Sequence, residues 1–245
     1  MSEIVDFQIV TENVASTLEP NLRVVEYISP GWNFLIVFLA MVFMVLNKQL
    51  YAARFRVMVF GLLQKSDSER MTREWNPIAS VNGLTVFLSY VAVLALIVQK
   101  IILVFSGNPA YYDGFGYYLD ICSFIMAYLI IQYLFVTFYG WLFGLESATA
   151  HQEVTHLSTM TLLTVVLIVM GLVVLFYPTK IILIITSAII LIITAFRIIK
   201  TFFEFQILSK RNLFNNFLYF CTLEIIPLSV AVTMLCRLIV TDCVL

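Results

Sequence analysis

The chain has 245 residues, of which 62% are hydrophobic and 12% charged, with a net charge of −1. A mean hydropathy of +0.99 excludes an ordinary water-soluble domain and points to a protein that crosses the bilayer several times. The near-neutral balance gives no surface for nucleic acid, and about six membrane helices use up most of the length, so no separate soluble domain is expected.

Residues 1–30 read as an acidic tail, with Arg23 alone against Glu3, Asp6, Glu12, Glu19 and Glu26. No basic segment precedes the first apolar run, so no cleavable signal peptide is expected. The ending Asp242-Cys243-Val244-Leu245 lacks a workable prenylation pattern.

Residues 31–245 read as one membrane domain. The first span covers Gly31 to Leu50, with Trp32 at one interface and Asn47 and Lys48 at the other. From Tyr51 to Lys65, Arg54 and Arg56 alternate with apolar residues. That mixture suggests an interfacial amphipathic helix or a continuation of span one out of the bilayer. Span two runs from Val81 to Phe105 and is interrupted late by Gln99 and Lys100. The loop after it carries Tyr111, Tyr112, Tyr117 and Tyr118, aromatics typical of headgroup level.

Span three runs from Ile121 to Gly144, and a short polar connection, Leu145 to Thr155, leads to span four at Leu157 to Tyr177. Pro178-Thr179-Lys180 makes a tight turn into span five, which is apolar from Ile181 to Phe196 and mixed from Arg197 to Leu208. Span six covers Phe217 to Val240, with Glu224 and Pro227 inside it. Runs this long and continuous exclude the alternating strands of a membrane β-barrel. Helices satisfy their backbone groups internally, as hydrocarbon demands. The fold class is therefore all-α, a polytopic bundle of about six transmembrane helices.

Lys and Arg set the orientation. Lys48, Arg54, Arg56, Lys65, Arg70 and Arg73 follow span one, and Arg197, Lys200, Lys210 and Arg211 follow span five. The opposite loops hold only Lys180, with Lys100 near that surface. The positive-inside rule then puts both basic regions in the cytoplasm and both termini outside.

Glu224 is the most informative single residue. It lies about 12 Å into span six at 1.5 Å per residue, where a lipid-facing carboxylate costs at least ~2.5 kcal/mol. It is expected to face the bundle, as a clamp on a neighbouring helix or as a proton or ion site beside the Pro227 kink. Its expected partners are Arg197 and Lys200, although both can also snorkel to headgroups and Lys200 can pair with Glu204 one turn on. Snorkelling also accounts for Lys100 and Arg237.

Glu153 and His156 share a helix face through their three-residue spacing. Carboxylate-bridged metal bundles use two such pairs plus further Glu residues. With one pair here, a solvated cytoplasmic helix cap is the plainer reading. Gly140 and Gly144, extended by Ala148, form a small-residue face that suits helix packing within the chain or against a partner. The four cysteines, Cys122, Cys221, Cys236 and Cys243, form no C-x-x-C pair. Cys122 and Cys243 fall on one membrane face in this topology, where a disulfide competes with the reading of small apolar helix residues. No P-loop, dinucleotide fingerprint or zinc-protease motif is present, and no cofactor is called for.

The segment from Phe217 to Leu228 carries Tyr219, Cys221, Glu224 and Pro227. This Tyr-x-Cys-x-x-Glu-x-x-Pro pattern resembles the last-span signature of a bacterial family of uncharacterised multi-span inner-membrane proteins. The stretch Tyr51-Ala-Ala-Arg54-Phe55 is similar to that family too. The resemblance implies a Gram-negative inner membrane and brings no activity with it. Two functions follow as expectations. One is a non-enzymatic subunit or scaffold of a cell-envelope complex, in contact with the lipid bilayer and other membrane proteins. The other is a small transporter or lipid-handling protein using Glu224.

Overall fold

The computed structural model describes residues 31–60, 81–105, 114–144, 146–209, 229 and 233. Six helices lie within them: α1 (Gly31–Leu50), α2 (Ala52–Phe60), α3 (Val81–Phe105), α4 (Phe115–Phe143), α5 (Glu146–Phe176) and α6 (Lys180–Ser209). All but α2 are long and apolar enough to cross a membrane. The expected sixth span lies outside the described residues except for Ser229 and Thr233. Both are helical, and the Thr233 hydroxyl donates to the Ser229 carbonyl at 2.7 Å.

Helices α3 and α5 form the centre. Helix α5 packs against all five others, and α3 against α1, α4, α5 and α6. The core follows from that: Val37, Val86, Val93, Leu96 and Leu167 are fully buried where α1, α3 and α5 meet. Helices α4 and α6 present mostly exposed apolar side chains, among them Phe135, Leu142, Ile185 and Leu191. Such faces are stable only against lipid or another apolar surface.

Hydroxyl side chains are common inside this bundle, and most bond their own helix. Thr159, Thr161 and Thr164 donate to carbonyls four residues back at 2.7–2.8 Å. On α6, Thr186 and Thr194 do the same at 2.8 Å. This removes the cost of an unbonded hydroxyl in hydrocarbon.

The helix after span one continues the span and packs on the bundle. Its backbone bonds run on through Tyr51, whose amide bonds the Asn47 carbonyl at 3.0 Å and whose carbonyl accepts from Phe55 at 2.8 Å. Helix α2 is thus a continuation of α1 that docks on α5. Met58 is wholly buried, and its carbonyl accepts the Ser158 hydroxyl. Ser158 thus ties α5 to the backbone of α2. Asn47 also ties this end together, donating to Thr85 on α3.

The polar connection expected at Leu145 to Thr155 is instead the start of a membrane helix. Helix α5 begins at Glu146, and Thr149, His151, Gln152 and Thr155 are buried in the bundle. A solvated cap is therefore the wrong description of this segment. Its polarity matches interior neighbours rather than water.

The small-residue face divides into two jobs. Gly140 is buried, and a Cβ there would collide with Thr149, so this glycine lets α4 and α5 approach closely. Gly144 ends α4 in the left-handed region at φ 63°, with its amide directed to the Gly140 and Trp141 carbonyls. That is the helix stop for which glycine is preferred. Ala148 lies in the first turn of α5.

At the far end, Pro178 breaks the chain and Thr179 starts α6. Its hydroxyl accepts from the Ile182 amide at 3.5 Å, in the N-cap position. Tyr118 is buried. Its hydroxyl donates to the Ala92 carbonyl at 3.2 Å, and its ring meets Trp32 at 5.3 Å between centroids.

Candidate functional site

The helix order places two ends of opposite character. Leu50, Val81, Phe143, Glu146 and Ser209 mark the α2 end; Gly31, Phe105, Phe115, Phe176 and Lys180 mark the other. Exposed Lys48, Arg54 and Arg56 surround the α2 end, and exposed Lys180 marks the opposite one.

Arg197 is the centre of the candidate site. It lies 17 residues beyond Lys180, about 26 Å along α6, and is 9% exposed. One terminal guanidinium nitrogen approaches His156 Nδ1 on α5 at 2.7 Å. Arginine is a donor only, so this contact is a hydrogen bond only when Nδ1 is unprotonated and the ring proton sits on Nε2. Arg197 is thus turned inward and is not the snorkelling residue of the plainer reading. Lys200, one turn on, is half-buried.

Glu153, three residues before His156, turns toward a different neighbour. Its carboxylate accepts the Thr137 hydroxyl of α4 at 3.0 Å. Glu153 and His156 therefore face α4 and α6 respectively, although they share the lining of one cavity. No group of three or more His, Cys, Asp or Glu assembles among the described residues. A metal on Nδ1 of His156 would also have to displace the Arg197 contact. The pair is better described as two hydrogen-bonded side chains than as half of a metal centre.

Two cavities meet beside this pair. One, of about 280 Å3, lies between α3, α4 and α5 and includes Gln152, Glu153 and His156. The other, of about 480 Å3, lies between α3, α4, α5 and α6 and runs from Arg197 and His156 toward Tyr117 and Asp120. Gln132 and His156 line both. Both cavities are walled mainly by aliphatic and aromatic side chains, with the polar groups gathered where the two meet.

Lys100 also departs from expectation. It is 4% exposed, so its side chain is inside the bundle rather than reaching the surface. The neighbouring Gln99 amide donates to the Gly114 carbonyl at 3.3 Å. Cys122 is unbridged. Tyr219, Cys221, Glu224, Pro227, Arg237 and Cys243 lie outside the described residues, as does the side chain of Glu204.

Residue-by-residue reading of the sequence misses Gln132, Gln152 and Thr159 as site neighbours. A signal for the last two exists: Gln152, His156 and Thr159 recur at steps of four and three, one face of a helix. That polar stripe is obscured by the apolar residues between them.

The fold and this interior polar centre define a multi-pass helical membrane protein. The chain matches the family described as Domain of unknown function (DUF4271) over residues 33–235, and it belongs to that family. No curated protein and no solved structure matches it.

Proposed function

We propose that this protein binds and moves a small solute or lipid through the bilayer interior, with Arg197 and His156 as its polar centre. The observation that carries this reading is a buried arginine paired with a histidine where two cavities between the helices meet. An arginine inside a membrane is costly, and such residues mark ligand or ion pathways. The cell context in this reading is a bacterial cytoplasmic membrane, with the α2 end cytoplasmic and both termini extracytoplasmic. Exposed Lys48, Arg54 and Arg56 at that end support the orientation.

The test is reconstitution of the full chain in liposomes, followed by two assays: proton flux with an entrapped pH dye, and transbilayer exchange of a fluorescent lipid. Activity in one of them, lost in Arg197→Gln and His156→Ala, is the expected result. Vesicles indistinguishable from empty ones in both assays would sink the proposal.

A second, also non-enzymatic reading is a scaffold subunit of a cell-envelope complex. It is favoured by the exposed ridge of Phe124, Ile131, Phe135, Phe138 and Leu142 on α4, a row at helical spacing. Co-purification of stoichiometric membrane partners, lost when Phe135 and Phe138 become alanine, tests it.

A further inference from the structure

We propose that the larger cavity is the binding site for an anionic amphiphile from the surrounding bilayer. Its carboxylate or phosphate head sits against Arg197 and its acyl tail runs between α3, α4, α5 and α6 toward Tyr117. The inference rests on the transport reading above and names the substrate class of that same site.

Shape is the first argument. On α3 the lining extends from Tyr90 to Ile102, twelve residues or about 18 Å along the helix. The cavity is a slot parallel to the helix axes rather than a round chamber, a shape that takes an extended chain. Its volume of about 480 Å3 falls in the ~300–1,000 Å3 range of ligand pockets, which are mostly apolar with a few placed polar groups.

Charge supplies the second. The polar lining is concentrated at one end, where Arg197, His156, Gln132, Thr159 and Thr194 converge. The middle is Leu94, Val98, Ile121, Ile125 and Leu163. At the other end stands Asp120. An anionic head is attracted by Arg197 and repelled by Asp120, so the slot has a direction. A cationic head gains nothing comparable, and a zwitterionic head brings a cation along with its phosphate.

Access is the third. Among the described residues, helices α4 and α6 both pack on the α3–α5 centre and make few contacts with each other. In this proposal the acyl chain approaches the slot from the side, between two helices whose outer faces are already apolar.

The experiment uses the full chain in mild detergent and two photoactivatable probes, diazirine-tagged palmitate and diazirine-tagged phosphatidic acid, with diazirine-tagged phosphatidylcholine as control. The expected result is labelling of α4 and α6 peptides lining the slot by one anionic probe, well above the control. The palmitate and phosphatidic acid arms tell a free fatty acid from a phospholipid. Arg197→Gln should lower that labelling by about tenfold or more, since a charged hydrogen bond is lost. Leu94→Trp, which fills the slot without touching the charge, should also abolish it.

Equal labelling by all three probes, unchanged by either variant, overturns the proposal. It is overturned too if no anionic probe labels the slot and Glu224→Gln restores the stability lost in Arg197→Gln, because Arg197 is then neutralised within the chain. Lipid capture without any flux would sink the transport reading and leave this one standing. Proton flux without lipid capture would do the reverse.

Discussion

Ser158 on α5 donates its hydroxyl to the backbone carbonyl of Met58 on α2, 100 residues earlier in the chain. Replacing Ser158 with alanine removes this hydrogen bond and should cost about 1 kcal/mol. Thermal unfolding in detergent reads the loss. An unchanged transition would mean that α2 is held by Met58 packing alone.

The two glycines of α4 should fail in different ways. Gly140→Ala collides with Thr149 and should cost about 1–3 kcal/mol, as overpacking does. Thr149→Ala in the same chain should recover part of it. Gly144→Asn should be tolerated, because asparagine accepts the left-handed conformation. Gly140→Asn should not be. Expression level and monodispersity in detergent separate the four variants.

Asn33 is fully buried on α1, and neither its amide oxygen nor its amide nitrogen has a partner. Burying an unbonded amide costs about 1–3 kcal/mol. Asn33→Leu is therefore expected to raise the melting temperature. A lower melting temperature would show that the amide is bonded in the membrane, by water or lipid.

Sidedness is checked with single cysteines at Arg54 and Lys180, both exposed and at opposite ends of the bundle. A membrane-impermeant maleimide added to intact cells should label Lys180→Cys and spare Arg54→Cys. Reversed labelling would invert the topology, and labelling of both would contradict the placement of Arg54 and Lys180 at opposite ends of the bundle.

The spans were legible because apolar length is a strong signal in a bilayer protein. The first span, Gly31 to Leu50, and the second, Val81 to Phe105, coincide with α1 and α3. The start of α5 was not legible, because hydropathy scores His151, Gln152 and Thr155 as water-loving. It cannot register that neighbouring helices bury them. Lys100 and Arg197 were hidden for the same reason, since one sequence does not say whether a long cation bends inward or outward. The Gly140 and Gly144 spacing announced close packing, yet only the backbone reveals that the second glycine makes a turn. Of the candidate site, Arg197 and His156 were each visible, whereas their meeting across 41 positions depends on how α5 and α6 pair.

The Gly144 stop leaves almost no chain between α4 and α5. The two helices must consequently be handed to the bilayer as one hairpin during biosynthesis, with the greasy α4 carrying in the reluctant first turns of its successor. Lengthening that link would uncouple the pair and leave the front of α5 stranded at the translocon.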